Sequence, residues 1–209
     1  MTVLPPSRAV AAAGVAVLAL SLSACGSSSS GSGASGGGAG ATPTKTVDPN
    51  AAEVSPAGDI PDDQAYVRYA MTSGGFSVKV PEGWARSSTK GGTRFTDKLN
   101  AIELQPSTGG ALTAAAAKAT EVPRLEAATP GFASAKVSTV RRTAGSAVRI
   151  TYLATAPADP VTGKRGTDAV ERYVFSKGTR RATLILSGPK GADNVDPWKI
   201  VTDAFRWTR

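Results

Sequence analysis

Residues 64–209 are predicted to form an α+β fold, one antiparallel β-sheet of about six to eight strands packed with two or more α-helices. Three observations carry this reading. Apolar and polar residues alternate in short runs that end in Gly- or Pro-containing turns, the two-residue period of half-buried strands. Two segments instead repeat apolar residues at helical spacing. Ahead of residue 64 the composition shifts to one that cannot build a core, so the chain holds one domain of ordinary size.

The elements follow in order. Strands are expected at 65–71 and at Phe76-Ser77-Val78-Lys79-Val80, the latter stopped by Pro81-Glu82-Gly83. Further strands are expected at 92–97, 101–105 and 136–142. In 147–156, Val148, Ile150 and Tyr152 fall on one side and Arg149, Thr151 and Thr155 on the other. Strands at 170–177 and 182–187 flank Lys177-Gly178-Thr179, a hairpin turn. Between them, 111–121 is alanine-rich with Leu112, Ala115 and Ala119 along one side, and Pro123 is expected to end or kink that helix. A terminal helix is expected with Asp196 as its cap and Pro197 in its first turn. Trp198, Ile200, Val201, Ala204, Phe205 and Trp207 sweep its apolar half, against Lys199, Thr202, Asp203 and Arg206.

The N-terminal part reads as targeting and tether. Arg8 precedes an apolar run, residues 9–20, shorter than the roughly 20 residues of a spanning helix and suited to a signal peptide over 1–24. Leu22-Ser23-Ala24-Cys25 then resembles the lipobox of bacterial lipoproteins, in which the cysteine thiol is diacylated before cleavage. Residues 26–41 are all Gly, Ser or Ala, and 42–63 add four prolines and five acids against Lys45. Such a stretch cannot offset its ordering entropy, so 25–63 is expected to be a lipidated cysteine followed by a disordered spacer.

Composition removes much chemistry. With no histidine and one cysteine there is no Ser-His-Asp triad, no imidazole ligand, no internal disulfide and no Cys-rich metal site. Ser87-Ser88-Thr89-Lys90 satisfies a Ser-x-x-Lys pattern, but it lies between expected strands and runs into Gly91-Gly92, where the motif needs a helix start. Glu121, Glu126, Asp193 and Asp196 read as helix-end and surface groups. Catalytic residues, cofactor and metal are therefore all expected to be absent.

Residues 64–209 keep 22 of the 24 basic side chains and 11 of the 16 acidic ones, a net +11. The basic residues concentrate at Arg141-Arg142, at Lys164-Arg165, and at Lys177 with Arg180-Arg181, the candidates for contact with anionic lipid or wall polymer. If the last two groups share one end of the sheet their charges act together; at opposite ends the field is diffuse and serves solubility. Nucleic acid fits poorly, since no ladder of aromatics interleaves the basic positions.

Phe76-Ser77-Val78-Lys79-Val80-Pro81-Glu82-Gly83-Trp84 is similar to the Phe-x-Val-x-Val-Pro-x-Gly-Trp opening of PsbP-like domains. That group includes the extrinsic PsbP proteins of photosystem II, a eukaryotic Ran-binding protein and actinobacterial lipoproteins. The resemblance extends through element order over about 145 residues and implies an antiparallel sheet between helical layers, an α/β/α sandwich. It supplies no shared catalytic residues, implies macromolecular binding, and finds no match here for the plant proteins' metal or photosystem contacts. The expected function is thus a non-catalytic binding or accessory domain held by lipid at Cys25 to the extracytoplasmic face of the cell membrane, with a protein partner in the envelope as a further expectation. The alternatives are an envelope enzyme using carboxylate or Ser-Lys chemistry and a structural wall-associated lipoprotein.

Overall fold

The computed structural model describes residues 57–159 and 162–208. Within them, strands β1 (Tyr66–Met71), β2 (Phe76–Pro81) and a two-residue β10 (Arg206–Trp207) form a small antiparallel sheet in the order β1-β2-β10. Seven longer strands form the main sheet: β3 (Ala85–Thr89), β4 (Gly92–Asp97), β5 (Asn100–Thr108), β6 (Ala133–Arg142), β7 (Gly145–Ala158), β8 (Arg165–Lys177) and β9 (Arg180–Pro189). Their order is β3-β4-β5-β9-β8-β7-β6, with every neighbouring pair antiparallel. The α+β class is as expected. The second sheet is the difference: β10 pairs Trp207 with Phe76 and Arg206 with Ser77, a contact across most of the chain that no local pattern announces.

The two faces of the main sheet bury different things, because successive side chains alternate sides. Phe95, Ile102, Leu104, Tyr173, Phe175, Leu184 and Leu186 face the small sheet and helix α3 (Val195–Asp203), where they meet Phe76, Val78, Val80, Trp198, Val201 and Phe205. On the opposite face Val148, Ile150, Tyr152, Ala154 and Val170 lie under a helical segment with Ala117, Val122 and Leu125. Beta-branched and aromatic residues at alternate positions of β7 and β8 account for both the strands and the double-sided burial.

The helical segment runs further than its proline suggests. Helix α1 (Ala114–Ala116) starts at Thr113, whose side chain accepts from the Ala116 N–H at 3.1 Å, and passes through a π-helical turn (Ala117–Glu121) into α2 (Val122–Ala128). The Val122 N–H reaches back five residues to the Ala117 carbonyl. That wider turn restarts the helix, so Pro123 falls in the first turn of α2, where its missing N–H costs nothing. Of the two outcomes expected at Pro123, an end or a kink, the end does not occur.

The terminal helix is shorter than expected and differently capped. Asn194, not Asp196, is the N-cap position, Asp196 sits in the first turn, and the helix ends at Asp203. Trp198, Val201 and Thr202 are its buried stripe, while Ile200 is 42% exposed. Thr202 is tolerated inside because its hydroxyl donates to the Trp198 carbonyl at 2.9 Å and accepts from Arg142 Nε at 2.8 Å. Phe205 and Trp207 reach the core after the helix has ended.

The folded body also begins earlier than residue 64. Ile60 is 5% exposed and belongs to the core, and its N–H donates to Asn194 Oδ1 at 2.9 Å. A lone isoleucine among Pro56, Asp59 and Pro61 carries no periodic signal, so this docked segment reads as spacer. Residues 1–56, including the proposed signal peptide, Cys25 and most of the spacer, lie outside the described residues.

Candidate functional site

The basic residues divide between the two ends of the main sheet. Strand β8 begins at Arg165 and ends at Lys177, thirteen residues, so Lys164 and Arg165 stand roughly 40 Å from Lys177, Arg180 and Arg181 at about 3.3 Å per residue. That is several Debye lengths at physiological salt, and the two groups do not act together. Arg141 and Arg142 share the end of Lys177, because β6 ends where β7 and β9 begin.

Nor are these side chains equally available. Arg142 is invested in the fold: its guanidinium donates to the hydroxyls of Thr202 (2.8 Å) and Tyr173 (3.1 Å), lies 3.7 Å from the Asp203 carboxylate, and stacks on the Tyr173 ring. Arg180 lies over Trp207 at 5.1 Å and Arg181 donates to the Gly110 carbonyl at 2.7 Å. Arg141, Lys164, Arg165 and Lys177 are exposed. Arg180 also edges a cleft of about 520 Å³ with Thr72, Ser73, Gly75, Ser107 and Thr108. Gly75 suits that cleft through its backbone: its φ is +63°, a left-handed conformation that favours glycine.

Ser87, Ser88 and Lys90 are exposed, and the two serines lie on edge strand β3, so no helix presents the Ser-x-x-Lys pattern. Strand β3 itself is missed by the sequence because it is polar at nearly every position and shows no alternation. Among the described residues no cluster of three or more Cys, Asp or Glu could hold a metal, and no helix is long and apolar enough to cross a membrane.

A different constellation stands at the end of the sheet that carries Lys164. A cavity of about 380 Å³ lies between the β4–β5 turn and the β7–β8 hairpin. One wall is basic, with Arg94 on β4 and Lys98 in the turn; the other is acidic, with Asp159 and Asp168 on the hairpin side. Leu99 and Pro157, with small alanines, supply an apolar lining. Lys98 has φ +48°, a conformation non-glycine residues adopt at a cost of roughly 1–3 kcal/mol, and this turn leaves Leu99 46% exposed.

The two acids differ in environment. Asp159 Oδ1 accepts from the Thr162 N–H (2.6 Å) and hydroxyl (2.9 Å), closing the hairpin end. Asp168 is 8% exposed, sits across from Ala154 and Pro189, and receives no hydrogen bond from the protein. Burial pushes its carboxyl above the ordinary 3.8, partly offset by the Arg94 charge. Arg94 in turn lies 3.6 Å from Glu103, whose other oxygen accepts from Gln105 (2.8 Å) and Thr89 (3.2 Å). Behind them burial lowers the Arg172 pKa despite Tyr152, Glu121 and Glu103 nearby, and its Nε is buried without a partner.

Asp168 was missed in the sequence, where no carboxylate pair marks it. Its signal is phase: it falls two residues before Val170 and six before Val174, on the buried side of β8.

The raised pKa fixes a pH prediction. The native state holds the Asp168 proton more tightly than the unfolded chain, so the stability linked to it is complete below pH 3.8 and is lost as pH rises through the folded pKa. Asp168→Asn is expected to raise the urea midpoint at pH 7, with the gain over wild type shrinking towards pH 4. A variant less stable than wild type at pH 7 would contradict the assignment.

Comparison with known proteins gives no matching family model and no matching curated protein. Solved structures do match. Cyanobacterial PsbP (CyanoP) from Synechocystis sp. PCC 6803 shares 16% identity over 74% of this chain and 98% of its own, with a TM-score of 0.49. The Saccharomyces cerevisiae Ran-binding protein Mog1p shares 8% over 69% and 96%, TM-score 0.43. LpqN, involved in cell envelope biogenesis of Mycobacterium tuberculosis, shares 18% over 71% and 87%, TM-score 0.41. The chain spans about half the length, 48%, of another match, a Bacteroides thetaiotaomicron protein at 12% identity and TM-score 0.46.

Proposed function

We propose that this chain is a lipid-anchored extracytoplasmic binding module. The observation that carries the reading is Leu22-Ser23-Ala24-Cys25, which closes the apolar run 9–20 and opens the Gly/Ser/Ala tract 26–41 ahead of the folded body. Acylation consumes the single thiol and explains why the chain has one cysteine. The folded part then acts as a tethered surface whose exposed cations, Lys164 and Arg165 at one end and Arg141 and Lys177 at the other, meet anionic lipid or wall polymer one end at a time.

One experiment tests both parts. The full chain is expected to partition with membranes, and mass spectrometry of its mature N-terminal peptide to show a diacylglyceryl group on Cys25. Cys25→Ala is expected to lose that peptide, and with residues 1–24 removed its binding to anionic vesicles should fall as salt is raised. An unmodified Cys25 in the wild-type chain overturns the anchor. Because an unacylated chain keeps its apolar run 9–20, the electrostatic part is read on the Cys25→Ala chain with residues 1–24 removed, and salt-insensitive binding of that chain to anionic vesicles overturns it.

A further inference from the structure

We propose that the cavity between the β4–β5 turn and the β7–β8 hairpin is a site for a small zwitterion, one that joins an ammonium and an anionic group on a short apolar stem. The inference is independent of the lipid anchor, and a chain that bound such a molecule without being acylated would leave it intact.

Three features point to this ligand class. The first is size: about 380 Å³ lies within the range of small-molecule sites, with room for a molecule of amino-acid size. The second is charge arrangement. Arg94 and Lys98 stand on one wall and Asp159 and Asp168 on the other, so the cavity is nearly neutral in total but polarised across its width. A simple cation would meet the basic wall and a simple anion the acidic one; a molecule with both charges satisfies each wall and leaves none repelled. The third is the state of Asp168. Asp168 is 8% exposed as a residue and takes no hydrogen bond from the protein, and its carboxylate oxygens are open where it lines the cavity, so the acceptor is available to a ligand there. The pleat places it with the other residues of that face: Asp168, Val170 and Arg172 share a face of β8, and Asp168 is the one that lines the cavity.

The roles divide accordingly. Asp168 takes the ammonium, as a buried charge-assisted acceptor. Lys98, exposed at the rim and held there by its left-handed turn, takes the anionic group together with the face of Arg94 that Glu103 does not occupy. Leu99 and Pro157 pack the stem. Carboxylate and phosphate present the same chemistry to the basic wall, so free amino acids and phosphoethanolamine-type headgroups are both of this class.

The test is calorimetric titration of the full chain at pH 7 with L-leucine, O-phosphoethanolamine, isoamylamine and isovalerate. At least one of the two zwitterions is expected to bind saturably, and both single-charge analogues to bind at least tenfold more weakly; which zwitterion wins separates the amino-acid from the headgroup source. Asp168→Asn, whose fold is checked by its denaturation midpoint, is expected to lose at least tenfold in zwitterion affinity, and Lys98→Asn to weaken the same ligand with the Asp168 contact intact. No saturable binding of either zwitterion, isoamylamine binding as tightly as they do, or full affinity in Asp168→Asn would overturn the site.

Discussion

Phe205→Ala is expected to cost about 3–5 kcal/mol, the usual range for emptying a fully buried aromatic site. Phe205 is fully buried, its ring stacks on Phe175 at 4.0 Å between centroids and 7° between planes, and it meets Phe76 at 5.5 Å and Trp207 at 5.1 Å. Phe175 lies on the main sheet, Phe76 on the small one, and Trp207 on the strand that closes the small sheet, so one side chain joins both layers. With a total stability on the order of 5–15 kcal/mol for a domain of this kind, the loss is a large part of the whole. Truncation after Ala204 also removes β10 and the Arg180–Trp207 stack, and is expected to leave the chain unfolded. The check is urea denaturation followed by tryptophan fluorescence, with Phe205→Leu as the milder variant. A change below 1 kcal/mol in Phe205→Ala would mean the layers are held elsewhere.

The same residue shows where sequence reasoning stops. At 100° per residue Phe205 falls in phase with Trp198 and Val201, and Trp207 lies at the far edge of the same half of the wheel, so the apolar stripe is legible and the burial of Phe205 follows. The wheel cannot show that the chain leaves the helix after Asp203 and spends Trp207 on a strand pair with Phe76, a pairing 131 residues away. Strands β2, β7, β8 and β9 were legible because one or both faces alternate strongly; β3 was not, because an edge strand of Ala85, Arg86, Ser87, Ser88 and Thr89 has nothing to alternate. For the candidate site the limit is similar. Arg141 and Arg142 are identical neighbours in sequence, yet the pleat sends one outward and the other onto Tyr173, Thr202 and Asp203. Charge clusters are visible in sequence, whereas the end of the sheet to which each belongs is a matter of strand direction. The polarised cavity depends on both: Lys98 and Asp168 are 70 positions apart, and only the β5-β9-β8-β7 order brings their ends together.

Asn194→Ala is expected to cost about 2–4 kcal/mol and to free the N-terminal edge of the folded body. Asn194 Oδ1 accepts from the Ile60 N–H (2.9 Å), and its amide donates to the Gly58 carbonyl (2.9 Å) and to Asn100 Oδ1 (3.1 Å). Asn100 donates to the same Gly58 carbonyl at 2.8 Å, and the Asp193 N–H donates to Asp59 Oδ1 at 2.8 Å. Gly188 makes room for this network, since a Cβ there would stand 2.3 Å from Asn100 Oδ1 and 2.9 Å from Asn194 Nδ2. Both asparagines are buried, at 4% and 5% exposed, so cutting one out leaves partners without water to replace it, at about 1–3 kcal/mol for each group stranded. The Ile60 N–H is the group with most to lose. Hydrogen exchange in the full chain is expected to show the Ile60 amide protected in wild type and exposed in Asn194→Ala, while amides in the centre of β8 change only with global stability. Because Asn100 and Asn194 share Gly58 and each other, Asn100→Ala and Asn194→Ala should not add: once the first has broken the network the second has less to break, and the double variant is expected to cost at least about 0.5 kcal/mol less than the sum. Additive costs with Ile60 still protected would show that the isoleucine side chain alone, buried against the core, holds this segment down.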